Sequence, residues 1–284
     1  MKVGIQTYSV RESLTRDPRG TLQKVADMGY KYWETCLLSG LNDDFGLGIP
    51  VKEARKFIDD NGVKIVGAHI ASRTNLDTLE AMFDYHKELG NDRVGLSAHF
   101  FDDRDDLLQK CEKYNEVGEF AKARGMHFYY HNHFHEFQKF DGEYVMDILL
   151  ANTDPELVSF ELDAFWAARG GMDPVELIHK YKDRLILLHQ KDFSKTAGEP
   201  INLFEKAVDP QKRIDRNVYQ NARKDTSFAE VGTGTMDIQS IIDAGNAVGV
   251  PYILLEQDFT FLDEIDSIQI SMNAFRKFSG IEWA

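Results

Sequence analysis

Eight short apolar runs recur along the chain, and most are followed by a stretch whose apolar residues return every three or four positions. The runs are Val3 to Tyr8, Tyr30 to Thr35, Val63 to His69, Arg93 to Ala98, Met126 to His131, Val158 to Asp163, Leu185 to His189 and Tyr252 to Glu256. They read as buried strands of a parallel sheet. Between them, Leu76, Leu79, Phe83 and His86 line one face of a helix, as do Leu107, Cys111, Tyr114, Gly118 and Ala121, and later Ile265, Ile268, Met272 and Phe275. Gly29, Gly62, Gly90 and Gly125 stand where a helix C-terminus takes a left-handed residue, and Asp17-Pro18 and Asp173-Pro174 read as helix starts. Eight such units predict an α/β protein, a (β/α)8 barrel formed by residues 1–284 as one domain. One connection breaks the rhythm. After the seventh strand, Phe193 to about Thr235 forms a long polar loop carrying Lys195, Lys206, Lys212, Arg213, Arg216, Arg223 and Lys224. It is either a lid that brings positive charge to the barrel mouth or a solvated insertion.

Composition narrows the function. A formal net charge of −14 argues against a nucleic-acid groove, and so against a metal-dependent endonuclease of this architecture. No apolar run is long enough to span a bilayer, and Met1-Lys2 leads straight into a strand, so no membrane partner and a cytoplasmic address are expected. Cys36 and Cys111 form no metal motif, and Cys111 falls on a helix's apolar face as core. A homo-oligomer pairing through helices is open, with Trp283 either an interface anchor or the closure of the last helix.

Three strands end on metal-type ligands, Asp163, His189 and Glu256, and the C-terminal rim is where a parallel barrel builds its chemistry. Together they point to one divalent metal ion, with Mn, Zn, Co or Fe favoured over Mg once an imidazole is included. The fifth strand delivers His131-Asn132-His133-Phe134-His135-Glu136-Phe137, and alternation puts His131 and His133 on one face as ligand or general base. His127 and His135 are bystanders in this reading. Glu161 shares a face with Asp163 but lies deeper, as a partner of a ligand or an interior charge. Lys191 shares a face with His189 and could steady an oxyanion or pair with a carboxylate; Trp166 is an apolar wall against a sugar ring or a loop plug. Glu34, His69 and His99, near earlier strand ends, are candidate substrate contacts.

The chain resembles the sugar phosphate isomerase/epimerase family, the xylose-isomerase-like TIM barrels. The resemblance rests on Gly4-Ile5-Gln6-Thr7-Tyr8-Ser9, Tyr130 to Phe137, Glu161-Leu162-Asp163 with Gly170-Gly171-Met172-Asp173-Pro174, Leu188-His189-Gln190-Lys191-Asp192, Val231-Gly232-Thr233-Gly234 and Leu255-Glu256-Gln257-Asp258. It implies a metal set of Glu, Asp, His and Glu from strands five to eight, of which Asp163, His189 and Glu256 carry over. For the first ligand the resemblance leaves Glu136 or His131, with Glu136 preferred because a carboxylate lowers the charge of the site. The implied activity is metal-dependent isomerisation or epimerisation of a keto-sugar or sugar derivative through an enediolate, with Glu256, His133 or His131 moving the proton. The alternatives are a dehydratase or lyase acting on an inosose or a 3-keto-glycoside, and a catalytically silent sugar-binding barrel.

Overall fold

In the computed structural model, which describes residues 1–37 and 46–283, eight parallel strands close into a barrel. They are β1 (Lys2–Gln6), β2 (Tyr32–Cys36), β3 (Lys64–His69), β4 (Arg93–Leu96), β5 (His127–His131), β6 (Val158–Asp163), β7 (Leu185–Gln190) and β8 (Tyr252–Leu255). Each strand pairs with the next, and β8 returns to β1 with Lys2 opposite Tyr252 and Ile5 opposite Leu255. All eight apolar runs are therefore strands. The first ends earlier than expected because Thr7–Val10 turns into a 3-10 helix, started by the Gln6 side chain accepting from the Tyr8 N–H.

The helices follow the apolar periodicity: Leu76–Glu88, Arg104–Lys122 and Glu264–Phe275 bury the expected faces, and Cys111 is core. Gly29, Gly62, Gly90 and Gly125 all have positive φ, and Asp17 and Asp173 accept hydrogen bonds from Gly20 and Val175 N–H groups at helix starts. Trp283 follows the last helix and is about half exposed (46%). Among the described residues no helix is long and apolar enough to cross a membrane.

Two register shifts matter for the interior. One falls between Trp33 and Glu34 where β2 meets β3, and the other between Phe160 and Glu161 where β6 meets β7. Such irregularities re-aim side chains, and here both lie next to a carboxylate wholly buried in the molecule. Val66, Tyr129, Leu187, Tyr252 and Leu254 form an apolar cluster apart from the main core, and the Tyr129 hydroxyl reaches from it to Glu34.

The long segment after β7 has a core of its own. Asp192–Phe193 pairs antiparallel with Phe228–Ala229, and a helix spans Arg216–Ala222. Leu203, Val208, Ile214, Ala222 and Phe228 pack on Phe134, Phe165, Trp166 and Phe193, which makes the segment a folded cover rather than a solvated insertion. Its base is clamped: the Asp192 carboxylate accepts from the N–H groups of Phe193, Gly232, Gly234 and Met236 at 2.8–3.0 Å.

Gly95 on β4 gives Tyr129 its room, since a Cβ there would lie 2.1 Å from the ring. Gly95→Ala should lower the free energy of unfolding by about 1–3 kcal/mol through overpacking, read as a shift of the urea midpoint at unchanged slope.

Candidate active site

Alternation along β5, β6 and β7 turns His131, Glu161, Asp163, His189 and, one step beyond the strand, Lys191 toward the barrel axis. His131, Asp163, His189 and Glu256 bring ligand atoms within 4.8 Å of one another, all buried. Above them lies a cavity of about 240 Å³ lined by His69, His131, His133, Glu256 and Asp258 from the barrel and by Arg216, Tyr219 and Arg223 from the cover. Asn132 fixes the backbone of Asp163, accepting from its N–H at 2.9 Å and donating to its carbonyl at 3.3 Å.

The charges are balanced within the protein. Lys191 Nζ donates to both Asp163 Oδ2 and Glu256 Oε2, with Asp258 Oδ1 3.8 Å away. His189 Nδ1 lies 3.0 Å from Glu256 Oε2, while its Nε2 lies 2.5 Å from Glu34 Oε2 and 3.1 Å from Glu161 Oε1. Burial pulls the His189 pKa down, but Glu161, Glu34 and Glu256 outweigh it and hold the imidazolium well above its ordinary range. Burial pushes the Asp163 carboxyl up to about 6 despite Lys191. Glu256 is held well below the usual carboxylate range, because Lys191 and His189 together overcome its burial. Burial takes His131 down to about 3 and His133 well below neutrality, so both are neutral imidazoles at pH 7.

The structure brings Asp163, His189, Glu256, His131 and Lys191 together, and it places His69 and His133 on the cavity wall. Glu136 is elsewhere. The 3-10 turn His135–Phe137 aims it back along the outside of β5, where it accepts from the Tyr130 hydroxyl at 2.7 Å and the His133 N–H at 2.8 Å. His131 therefore fills the fourth place in the cluster. Trp166 also leaves the cavity, since Asp163 accepts from its N–H and starts the helix Ala164–Arg169, which turns the indole into the apolar cluster under the cover. His99 faces outward, its Nδ1 2.6 Å from the Tyr114 hydroxyl. Glu34 is wholly buried below the cavity, held by Gln6 Nε2 at 2.7 Å and by the Tyr129 hydroxyl. His127 is exposed, and His135 binds the His99 carbonyl at 2.7 Å. Sequence reasoning missed Tyr8, Cys36, Phe100 and Tyr219 on the cavity wall. The one signal available was that Tyr8 and Cys36 stand at or just past strand ends.

Comparisons with known proteins agree with this architecture. The model of the xylose isomerase-like TIM barrel family matches residues 22–276. An inosose dehydratase of Clostridium perfringens is 31% identical over 151 residues, 52% of this chain and 46% of that protein. Another, of Lactiplantibacillus plantarum, is 26% identical over 183 residues, 62% of this chain and 57% of that protein. The chain thus matches about half the length of these curated relatives. Over nearly whole chains, a solved sugar phosphate isomerase/epimerase from Parabacteroides distasonis aligns with a TM-score of 0.76 at 24% identity, covering 99% and 95%. The solved IOLI protein, which holds a bound zinc atom, aligns at 0.71 and 14%, covering 98% and 100%. At these identities the solved structures speak to fold alone.

Removing the buried lysine tests the charge balance. Lys191→Met strands two buried carboxylates and should cost about 3–5 kcal/mol of stability at pH 8 in chelator. The loss should shrink at pH 5, because Asp163, already raised to about 6 beside Lys191, then takes up a proton and needs no counter-charge. Urea denaturation at the two pH values reads the difference.

Proposed function

The chain belongs to the xylose isomerase-like TIM barrel family, and on that premise we propose that it is a divalent-metal-dependent isomerase or epimerase of a keto-sugar or sugar derivative. The observation that carries the reading is the convergence of His131, Asp163, His189 and Glu256 beneath a cavity of small-molecule scale. Two imidazoles and two carboxylates fit Mn, Zn, Co or Fe better than Mg, and the four would hold the ion once Lys191 withdraws from Asp163 and Glu256. Bound there, it would supply Lewis-acid polarisation of a carbonyl and the adjacent hydroxyl, which lowers the barrier to loss of the proton between them.

The chain's own groups divide the remaining work. His133 is the favoured base. It is neutral and stands on the cavity wall. Glu256, ionised and on the same wall, is the second proton acceptor, while His131 keeps its ligand place. Lys191, once withdrawn, is the cation available to steady the enediolate oxygen. Arg216 and Arg223 bring positive charge from the cover to a substrate oxygen. A dehydratase using the same enolate and expelling a hydroxyl is the second reading, favoured by the likeness to inosose dehydratases.

Protein purified without chelator should hold about one ion per chain, and His189→Ala should lose it. Incubated in heavy water with a panel of keto-sugars and inososes, the wild type should wash deuterium into one carbon position, and Asp163→Ala and His133→Ala should not. Exchange without loss of water marks the isomerase or epimerase; loss of water marks the dehydratase. A wild type that takes up no ion even when Mn is supplied, and exchanges no proton, sinks both readings and leaves a silent sugar-binding barrel.

A further inference from the structure

A second set of ligands lies one layer below the mouth. His69, His131, Glu161 and His189 also bring ligand atoms within 4.8 Å of one another, all buried. Glu161 is the hub: its Oε2 lies 2.8 Å from His69 Nε2 and 3.1 Å from His131 Nδ1, and its Oε1 lies 3.1 Å from His189 Nε2. That Oε1 is wholly buried, and its one near partner, His189 Nε2, lies closer to Glu34 Oε2, at 2.5 Å. A buried acceptor so weakly partnered in a native protein calls for an explanation, an ion being one of the standard ones.

The two layers are distinguished by which ring nitrogen each histidine presents. His189 turns Nδ1 to Glu256 at the mouth and Nε2 to Glu161 and Glu34 below. His131 turns Nε2 toward Asp163 above, 3.9 Å away, and Nδ1 to Glu161 below. In the mouth layer Lys191 already supplies a fixed positive charge between the carboxylates. Among the described residues no lysine or arginine pairs with Glu161 or Glu34, so the lower layer depends for its positive charge on imidazoles alone. Glu34 is itself held in place by Gln6 and Tyr129, which suits a carboxylate that supports a ligand histidine.

We propose that this lower layer is a second, distinct transition-metal seat, ligated by Glu161, His69, His131 Nδ1 and His189 Nε2, which fills without moving Lys191. Three imidazoles and one carboxylate select Zn, Co, Fe or Cu over Mg and Ca. A neutral imidazole offers one lone pair, so the shared histidines make the two seats alternatives, and the chain carries one ion at a time. His69 and His131 border the cavity, which gives the ion its way in. The geometry that carries the proposal does not draw on the function assigned to the mouth, and an ion below, by taking His131 and His189, leaves none above.

The test separates the seats by metal content and by ligand count. Asp163→Asn/Glu256→Gln keeps every lower ligand and should retain one bound Zn after dialysis. Glu161→Gln and, separately, His69→Gln should weaken Zn by at least the roughly 10–100-fold that losing a mere partner of a ligand costs. Thermal melts of each variant check that it is folded, and the wild type loaded with Cu provides a reading that needs no variant. Its electron spin resonance should show three coordinated nitrogens for the lower seat and two for the mouth. Loss of Zn from the double variant with two nitrogens in the wild type overturns the lower seat and leaves the mouth reading intact. Absence of any bound ion from all of them overturns both.

Discussion

The structure turns on the cost of keeping carboxylates out of water. Glu34, Glu161, Asp163, Glu256 and Asp258 are all buried inside or at the rim of one barrel, and isolated charges there would each cost several kcal/mol. Lys191, His69, His131 and His189 are distributed among them so that nearly every carboxylate oxygen meets a donor or a positive ring. Other features serve this network. Gly67 and Gly95 leave space for Tyr129, whose hydroxyl holds Glu34. The register shifts beside Glu34 and Glu161 aim those side chains, and the apolar cluster of Val66, Leu187, Tyr252 and Leu254 seals the axis beneath.

Much of this was legible in the amino-acid sequence because period-two alternation and strand ends carry strong signals. Asp163, His189 and Glu256 could be placed by counting from the apolar runs, and the positive-φ glycines marked the helix ends. The failures have local causes. Glu136 sits only five residues beyond His131, but a single 3-10 turn reverses the chain between them and gives Glu136 to Tyr130 instead. Trp166 follows Asp163 by three residues, yet the helix begins at Asp163 itself, and one turn carries the indole to the far side. The importance of Glu34 could not be read from periodicity, because its close partner His189 comes from a strand distant in the chain.

The cover and the barrel have complementary characters. The barrel supplies a negatively charged floor of Glu256 and Asp258, and the cover supplies Arg216 and Arg223 with Tyr219 between them in the chain. Arg223 is anchored on the Asp258 carbonyl at 2.9 Å, so the two halves meet through backbone as well as charge. The cover keeps a largely separate apolar cluster, in which Phe134, Phe165 and Trp166 are the barrel's contribution. That division leaves the buried charges to the barrel while the cover shapes the space above them.

The clamp at Asp192 bears on how such a protein can change over generations. One carboxylate gathers the N–H groups of residues on both sides of the cover, so the chain leaves the barrel and returns to it at nearly one point. A loop closed at its base pays only about 0.6 kcal/mol for each doubling of its length. Length changes in the exposed turns between Phe193 and Phe228 can therefore accumulate with little toll on the barrel, so long as the apolar residues packed on Phe134, Phe165 and Trp166 stay in place.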